Sequence, residues 1–272
     1  MATLTFLGTG GGRFSTLFQT RATGGVYLED GPARLHIDPG PGALQQLHEA
    51  GLDPTETTGV MVSHRHLDHA NDANTVIAGM TQGGTEERGY LVGSKSVIEG
   101  HGDEGPVITR RHRDLVTEHT TARPGESARV SGRRVRFLDT EHRDPTNVGF
   151  AIETSEGTVT YFTDSVARED LIEQLPGARV LLLGITRPRG AGIPDHMSTE
   201  DAVAIAERVQ PDLLAFTHLG LKLLRGDPEA EARYVEDETG VRTIAARDLT
   251  RLEIEDAITV AHPETPEMEA KG

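Results

Sequence analysis

Val60-Met61-Val62-Ser63-His64-Arg65-His66-Leu67-Asp68-His69 is the stretch from which the rest of this chain is read. An apolar run with the character of a buried strand ends in three imidazoles and a carboxylate within six residues. Neutral imidazole suits zinc and other first-row metals and aspartate adds a hard oxygen ligand. A strand end can aim all of them into one cleft while the scaffold holds them still. Histidines on a surface loop can also be solvated side chains, and a pair at i and i+2 arises by chance. The recurrence of ligand types downstream, each closing a strand-like run, favours the metal. His142 follows Val135-Arg136-Phe137-Leu138, Asp164 follows Val159-Thr160-Tyr161-Phe162-Thr163, and His218 follows Leu213-Leu214-Ala215-Phe216-Thr217. A metal-dependent enzyme is the expectation.

The HxHxDH pattern at His64, His66, Asp68 and His69, with His142, Asp164 and His218 behind it, resembles the metallo-β-lactamase superfamily. Phe6-Leu7-Gly8-Thr9-Gly10-Gly11-Gly12 is similar to the opening strand and turn of its tRNase Z-like and phosphodiesterase branches. Leu35-His36-Ile37-Asp38-Pro39-Gly40 is similar to the strand ending in Asp-x-Gly that precedes the metal motif. His196, in His196-Met197-Ser198-Thr199, stands where those branches carry an extra histidine.

The resemblance implies an α/β fold, the four-layer αββα sandwich; periodicity by itself gives only a mixed α/β domain. It also implies two divalent metal ions, zinc first, with manganese or iron as alternatives on the same ligands. His64, His66 and His142 would hold one ion, Asp68, His69 and His218 the second, and Asp164 would bridge them. Two cations about 3.5–4 Å apart can share one water and poise it as a hydroxide nucleophile. Asp68 and His196 are the residues expected to take part in the catalytic step. For His196 two readings stand side by side: a cap for the helix beginning near Ser198, or an imidazole that meets a phosphoryl oxygen or protonates a leaving alkoxide. Asp38 is expected to orient a ligand imidazole or close the turn, and Ser63 and Thr217 to orient the ligands that follow them. Gly8 to Gly12 read either as a phosphate cradle or as a turn lining the site.

Composition narrows the classes. With no cysteine the chain has no disulfide, no thiolate metal site and no cysteine nucleophile. The formal charge is -16, with 43 acidic residues, and only Lys95, Lys222 and Lys271 are lysines among 27 basic residues. Such a surface fits either adaptation to high salt or an ordinary acidic protein. It disfavours RNA as partner, because nucleic-acid binding draws on cations at phosphates. Arg133-Arg134-Val135-Arg136 alternates along a strand as a solvated face, whereas Arg187-Pro188-Arg189 in a Gly/Pro-rich loop is the better candidate for a substrate phosphate. There is no apolar window of 18 residues and no basic, apolar leader, so a soluble cytoplasmic protein without membrane association is expected. A homodimer is expected from relatives.

The chain is expected to fold as one domain over 1–262, with 263–272 a polar, frayed tail. Strands are predicted at 3–7, 24–29, 33–37, 59–63, 89–93, 134–139, 148–153, 158–163, 179–185, 213–217 and 241–244. Helices are predicted at 41–50, 67–78, 198–209 and about 228–239, from their caps and apolar spacing. The stretch 79–120 reads as less regular, suited to a lid or a dimer contact. The expected activity is hydrolysis of a small-molecule or nucleotide-type phosphodiester. Carboxylic-ester, thioester or lactone hydrolysis is the alternative on the same fold, and a metal- or nucleotide-binding sensor the alternative outside catalysis.

Overall fold

The computed structural model describes residues 1–175 and 177–263; the expected tail, beyond residue 263, lies outside them. Strands β1 (Ala2–Phe6), β2 (Val26–Asp30), β3 (Ala33–Ile37), β4 (Gly59–Val62), β5 (Tyr90–Ser94) and β6 (Glu118–Ala122) build most of one sheet. The chain then crosses to a second sheet through β7 (Ser127–Val130), β8 (Arg133–Leu138), β9 (Gly149–Thr154), β10 (Gly157–Phe162), β11 (Ala178–Arg187), β12 (Met197–Ser198), β13 (Leu213–Thr217) and β14 (Thr243–Ala245). It returns to the first with β15 (Arg251–Ile254) and β16 (Ile258–Ala261), giving the orders β16-β15-β1-β2-β3-β4-β5-β6 and β14-β13-β11-β10-β9-β8-β7, with β12 beside β11. The helices are α1 (Gly12–Phe18), α2 (Ala43–Glu49), α3 (Leu67–Ala70), α4 (Ala73–Met80), α5 (Lys95–Ile98), α6 (Arg110–Arg113), α7 (Glu169–Ile172), α8 (Thr199–Val209), α9 (Leu221–Leu224) and α10 (Pro228–Thr239).

Strand periodicity makes the layers. On β1, Ala2, Leu4 and Phe6 face the second sheet and meet Phe137, Phe150 and Leu182 in the inter-sheet core. Strand β11 has no polar face: Val180 and Leu182 point into that core, while Leu181, Leu183 and Ile185 point out beneath α8 and α10. A strand covered on both sides reads as a continuous apolar run. Outside the first sheet, Val60, Val62 and Leu91 pack under Val76, Ile77 and Met80 of α4. The result is the expected αββα sandwich.

The differences from expectation have local causes. Instead of one helix at 67–78, α3 and α4 are separated at Asn71-Asp72, where Asp72 turns its carboxylate to Gly42 N and Ala43 N (2.9 and 3.1 Å). The break is fixed by this tertiary contact, which caps the start of α2 with the Asp72 carboxylate. Within the stretch 79–120, β5 takes the place of the strand predicted at 89–93, and the unpredicted β6 begins at its end, where Glu118-His119-Thr120-Thr121 is too polar to read as a strand. Helix α8 starts as expected, with Ser198 N and Oγ both donating to Asp201 Oδ2 (2.7 and 2.9 Å).

Candidate metal centre

Strands β10, β11 and β13 run parallel, and β8 runs the same way, since each is antiparallel to β9. Their C-terminal ends therefore deliver His142, Asp164 and His218 to one edge of the sandwich. Strand β4 brings residues 64–69 to the same edge from the other sheet. His64 Nε2 lies 2.8 Å from His66 Nδ1, which lies 3.1 Å from His142 Nε2. On the other side, His218 Nε2 is 3.3 Å from Asp68 Oδ2, and His69 Nε2 is 3.7 Å from the same oxygen.

Asp164 stands between the two clusters. Its Oδ2 is 3.1 Å from His69 Nε2 and 3.2 Å from His218 Nε2, while Oδ1 is 3.7 Å from His142 Nε2 and 3.3 Å from His196 Nδ1. All eight side chains named in advance meet here. His196 does not cap α8; Ser198 and Asp201 do, and the imidazole turns to the centre.

Four of the rings have their outward nitrogen already occupied. His142 Nδ1 donates to Asp195 O (3.1 Å) and His69 Nδ1 to Asp38 Oδ2 (2.8 Å). His64 Nδ1 meets Ser63 Oγ (3.0 Å), whose proton goes to Asp38 Oδ2 (2.6 Å), and His218 Nδ1 meets Thr186 Oγ1 (3.1 Å). A ring that spends one N–H outward leaves a lone pair on the nitrogen facing in. The buried nitrogens His69 Nε2 and His196 Nδ1 have no aligned hydrogen-bond partner among the described residues. Converging lone pairs, the orphaned His69 Nε2 and two carboxylates fit a divalent cation held by nitrogen and oxygen, which would supply that nitrogen's missing partner.

The electrostatics match. Burial opposes ionisation of Asp164, but His218 and His69 beside it hold its pKa well below the usual carboxylate range, and Asp68 is depressed by His69 and His218 in the same way. Burial alone would lower His69, yet Asp164, Asp68 and Asp38 together raise it well above an ordinary imidazole. His64, desolvated and next to His69, is pushed well down. Three carboxylates around one imidazole make this a strongly anionic pocket.

Several supporting residues gave no signal in the sequence. Thr186 rather than Thr217 orients His218. Tyr161 donates to Asp38 Oδ2 (2.9 Å), Thr163 Oγ1 to Asp164 Oδ2 (2.8 Å) and Asn147 Nδ2 to Asp164 O (2.8 Å). Asp144 ties the His142 loop to the metal motif by accepting from Ser96 Oγ (2.5 Å) and Arg65 N (3.3 Å). The glycine-rich segment is a turn lining the site: Gly12 N donates to Asp68 Oδ2 (2.8 Å), and a Cβ on Gly11 would lie 2.1 Å from the His218 ring. Asp248 holds it there through Thr9 N (2.8 Å) and Ala22 N (2.8 Å). Arg189 is engaged by Glu231 (3.2 Å) and lies over Tyr234, so it is not a free phosphate contact.

Comparison with known proteins agrees with this architecture. An uncharacterized protein of Methanocaldococcus jannaschii is 36% identical over 244 residues, covering 89% of this chain and 91% of that one. Ribonuclease Z of Kineococcus radiotolerans is 28% identical over 260 residues, 89% of this chain and 81% of the enzyme. The metallo-β-lactamase fold protein YhfI of Bacillus subtilis superposes with a TM-score of 0.74 at 18% identity, covering 92% of this chain and 98% of that one. Residues 33–219, from β3 through the last histidine of the centre, match the Beta-lactamase superfamily domain, and with the αββα sandwich and its edge-on histidine cluster the chain belongs to that superfamily of metal-dependent hydrolases.

Proposed function

We propose that this chain hydrolyses phosphodiesters with two divalent ions, one at His64, His66 and His142 and one at Asp68, His69 and His218, with Asp164 shared. The observation that carries this reading is the Asp164 carboxylate, whose two oxygens face two separate donor sets. Divalent ions bound there would supply Lewis acidity toward a phosphoryl oxygen and lower the pKa of a shared water. The described fold has no helix long and apolar enough to cross a membrane.

His196 favours a substrate that expels an alkoxide, as a phosphodiester does, over a thioester. Its side chain is 19% exposed, against 1% to 4% for His142, Asp164, His69 and His218, so together with the half-buried His66 it is open to an incoming substrate. Burial, partly opposed by Asp164, lowers its pKa to about 4. At neutral pH the ring is therefore neutral, and it must accept a proton before passing one to a leaving oxygen. Nδ1 faces Asp164, which leaves Nε2 to exchange that proton. An alkoxide leaves poorly without a proton, whereas a thioester needs it less. The ribonuclease Z relative, which matches over most of both chains, supports the same bond type.

The test is hydrolysis of a phosphodiester with an unactivated alkoxide leaving group beside bis(p-nitrophenyl) phosphate, whose p-nitrophenolate leaves without a proton, a p-nitrophenyl carboxylic ester and a lactone, with His196→Ala as control. Turnover of the unactivated diester that falls at least about a hundredfold in the variant, with a much smaller loss on the activated diester and metal content retained, is expected. Ester or lactone turnover indifferent to His196 would replace this reading with the acyl-hydrolase one.

A further inference from the structure

Helix α1 presents its apolar side to solvent. Phe14, Leu17 and Phe18, spaced i, i+3 and i+4, share one face, which a surface helix ordinarily turns to the core. Here they are 58%, 69% and 67% exposed, and the buried residue is Ser15. The Phe14 and Phe18 rings lie within 14° of parallel, 6.5 Å apart. Leu67, between His66 and Asp68 on α3, is also 69% exposed, and α1 packs against α3. The helix begins at Gly12, whose N–H reaches Asp68 Oδ2, so this face starts two residues from the candidate centre.

Charge identifies the occupant. Around the site mouth Arg65 is neutralised by Glu104 and Arg143 by Asp195. Arg13 on α1 and Lys222 on α9, which packs against α1, are exposed and carry no ion pair among the described residues. Unpaired cations in a chain of net charge -16 favour an anion, and flat exposed rings favour a flat ligand. A second copy related by a two-fold axis would set Arg13 near its own counterpart and join two strongly acidic chains. A nucleobase stacked on the aromatic face with its phosphate toward Arg13 and Lys222 meets both demands. We infer that Phe14, Phe18, Arg13 and Lys222 form a nucleoside-binding rim beside the candidate centre, making the preferred substrate a nucleoside phosphodiester. This deepens, and rests on, the phosphodiesterase reading above.

Two substrates with one leaving group test it: thymidine 5′-(p-nitrophenyl phosphate) and methyl p-nitrophenyl phosphate. The thymidine ester should be preferred about tenfold or more in kcat/KM, mostly through KM, and Phe14→Ser/Phe18→Ser should bring the ratio toward one. Binding of etheno-AMP, followed by fluorescence anisotropy, should weaken about tenfold in the same variant, and its salt dependence should shrink in Arg13→Gln and vanish in Arg13→Gln/Lys222→Gln. A folded double variant with an unchanged ratio and unchanged etheno-AMP affinity overturns the rim and leaves the hydrolase reading standing. Wild-type protein that cleaves neither ester overturns the phosphodiesterase reading, and the anisotropy then decides the rim alone. A dimer in light scattering that the double variant splits, without change in the ratio, would assign the face to a second copy instead.

Discussion

Asp38 Oδ2 accepts the Nδ1–H of His69 at 2.8 Å, and this contact leaves the other nitrogen of His69 to face Asp68 and Asp164. The same carboxylate takes Ser63 N and Ser63 Oγ (2.6 Å each) and the hydroxyl of Tyr161. One buried aspartate therefore sets the outward contacts of His69 and, through Ser63, of His64. It does so from a left-handed backbone (φ 52°), which Asp164 (φ 50°) and His218 (φ 52°) share. Such conformations cost about 1 kcal/mol or more for a residue with a side chain and collect at functional sites.

Asp38→Asn should weaken metal binding about 10- to 100-fold, although it removes no atom that faces the centre. The amide presents N–H to donors that need an acceptor, so stability should also fall by about 3 kcal/mol. Competition with a chromophoric chelator and urea denaturation measure the two effects. Unchanged affinity would mean that the rings hold their orientation without it.

Gly11→Ala should damage the site by steric means alone. The new Cβ would meet the His218 ring at 2.1 Å, closer than any side chain tolerates. His218 must then move, and binding at the His69 side should weaken while the His64 side retains its ion. Metal analysis should show loss of about one ion per chain, and full occupancy would show that the Leu219 segment, held to Thr9 and Gly11 by backbone bonds, yields instead.

His36 should make the fold sensitive to acid. Burial lowers its pKa to about 4, only partly offset by the bond from Nε2 to Gly24 O (2.7 Å). The unfolded chain takes up this proton near 6.5 and the folded chain only near 4, so between those values the unfolded state holds more protons. Stability is thus intact above about pH 6.5 and falls as pH drops toward 4, by about 3 kcal/mol for this residue. His36→Gln should flatten that share of the slope. Urea denaturation of both proteins at pH 7, 5.5 and 4.5 gives the difference, and equal slopes would contradict the assignment.

The centre was legible because its donors are rare residue types at strand ends, and strand direction alone gathers them. Two of the strands that carry them were legible for a related reason: β4 and β13 are buried on both faces and read as nearly unbroken apolar runs. What escaped is what polar side chains do locally. Thr186 lies in β11 and Thr163 directly follows β10, where β-branching already explains them, and nothing in their spacing marks a contact to His218 or Asp164. Edge strand β6 has too little apolar alternation to stand out, and the terminal strands β15 and β16 are only four residues each, although Arg251-Leu252-Glu253-Ile254 does alternate. Helix α1 was hidden by its glycines and by an apolar face turned to solvent, the reverse of the pattern by which surface helices are recognised.

The most direct test of the two-ion account is metal stoichiometry. Protein reconstituted with zinc and freed of excess metal should hold two ions per chain by mass spectrometry of the elements, Asp164→Ala should lose both affinity and diester turnover, and His196→Ala should keep both ions. One ion in the wild type, or two retained with full turnover in Asp164→Ala, would contradict a centre built around a shared carboxylate.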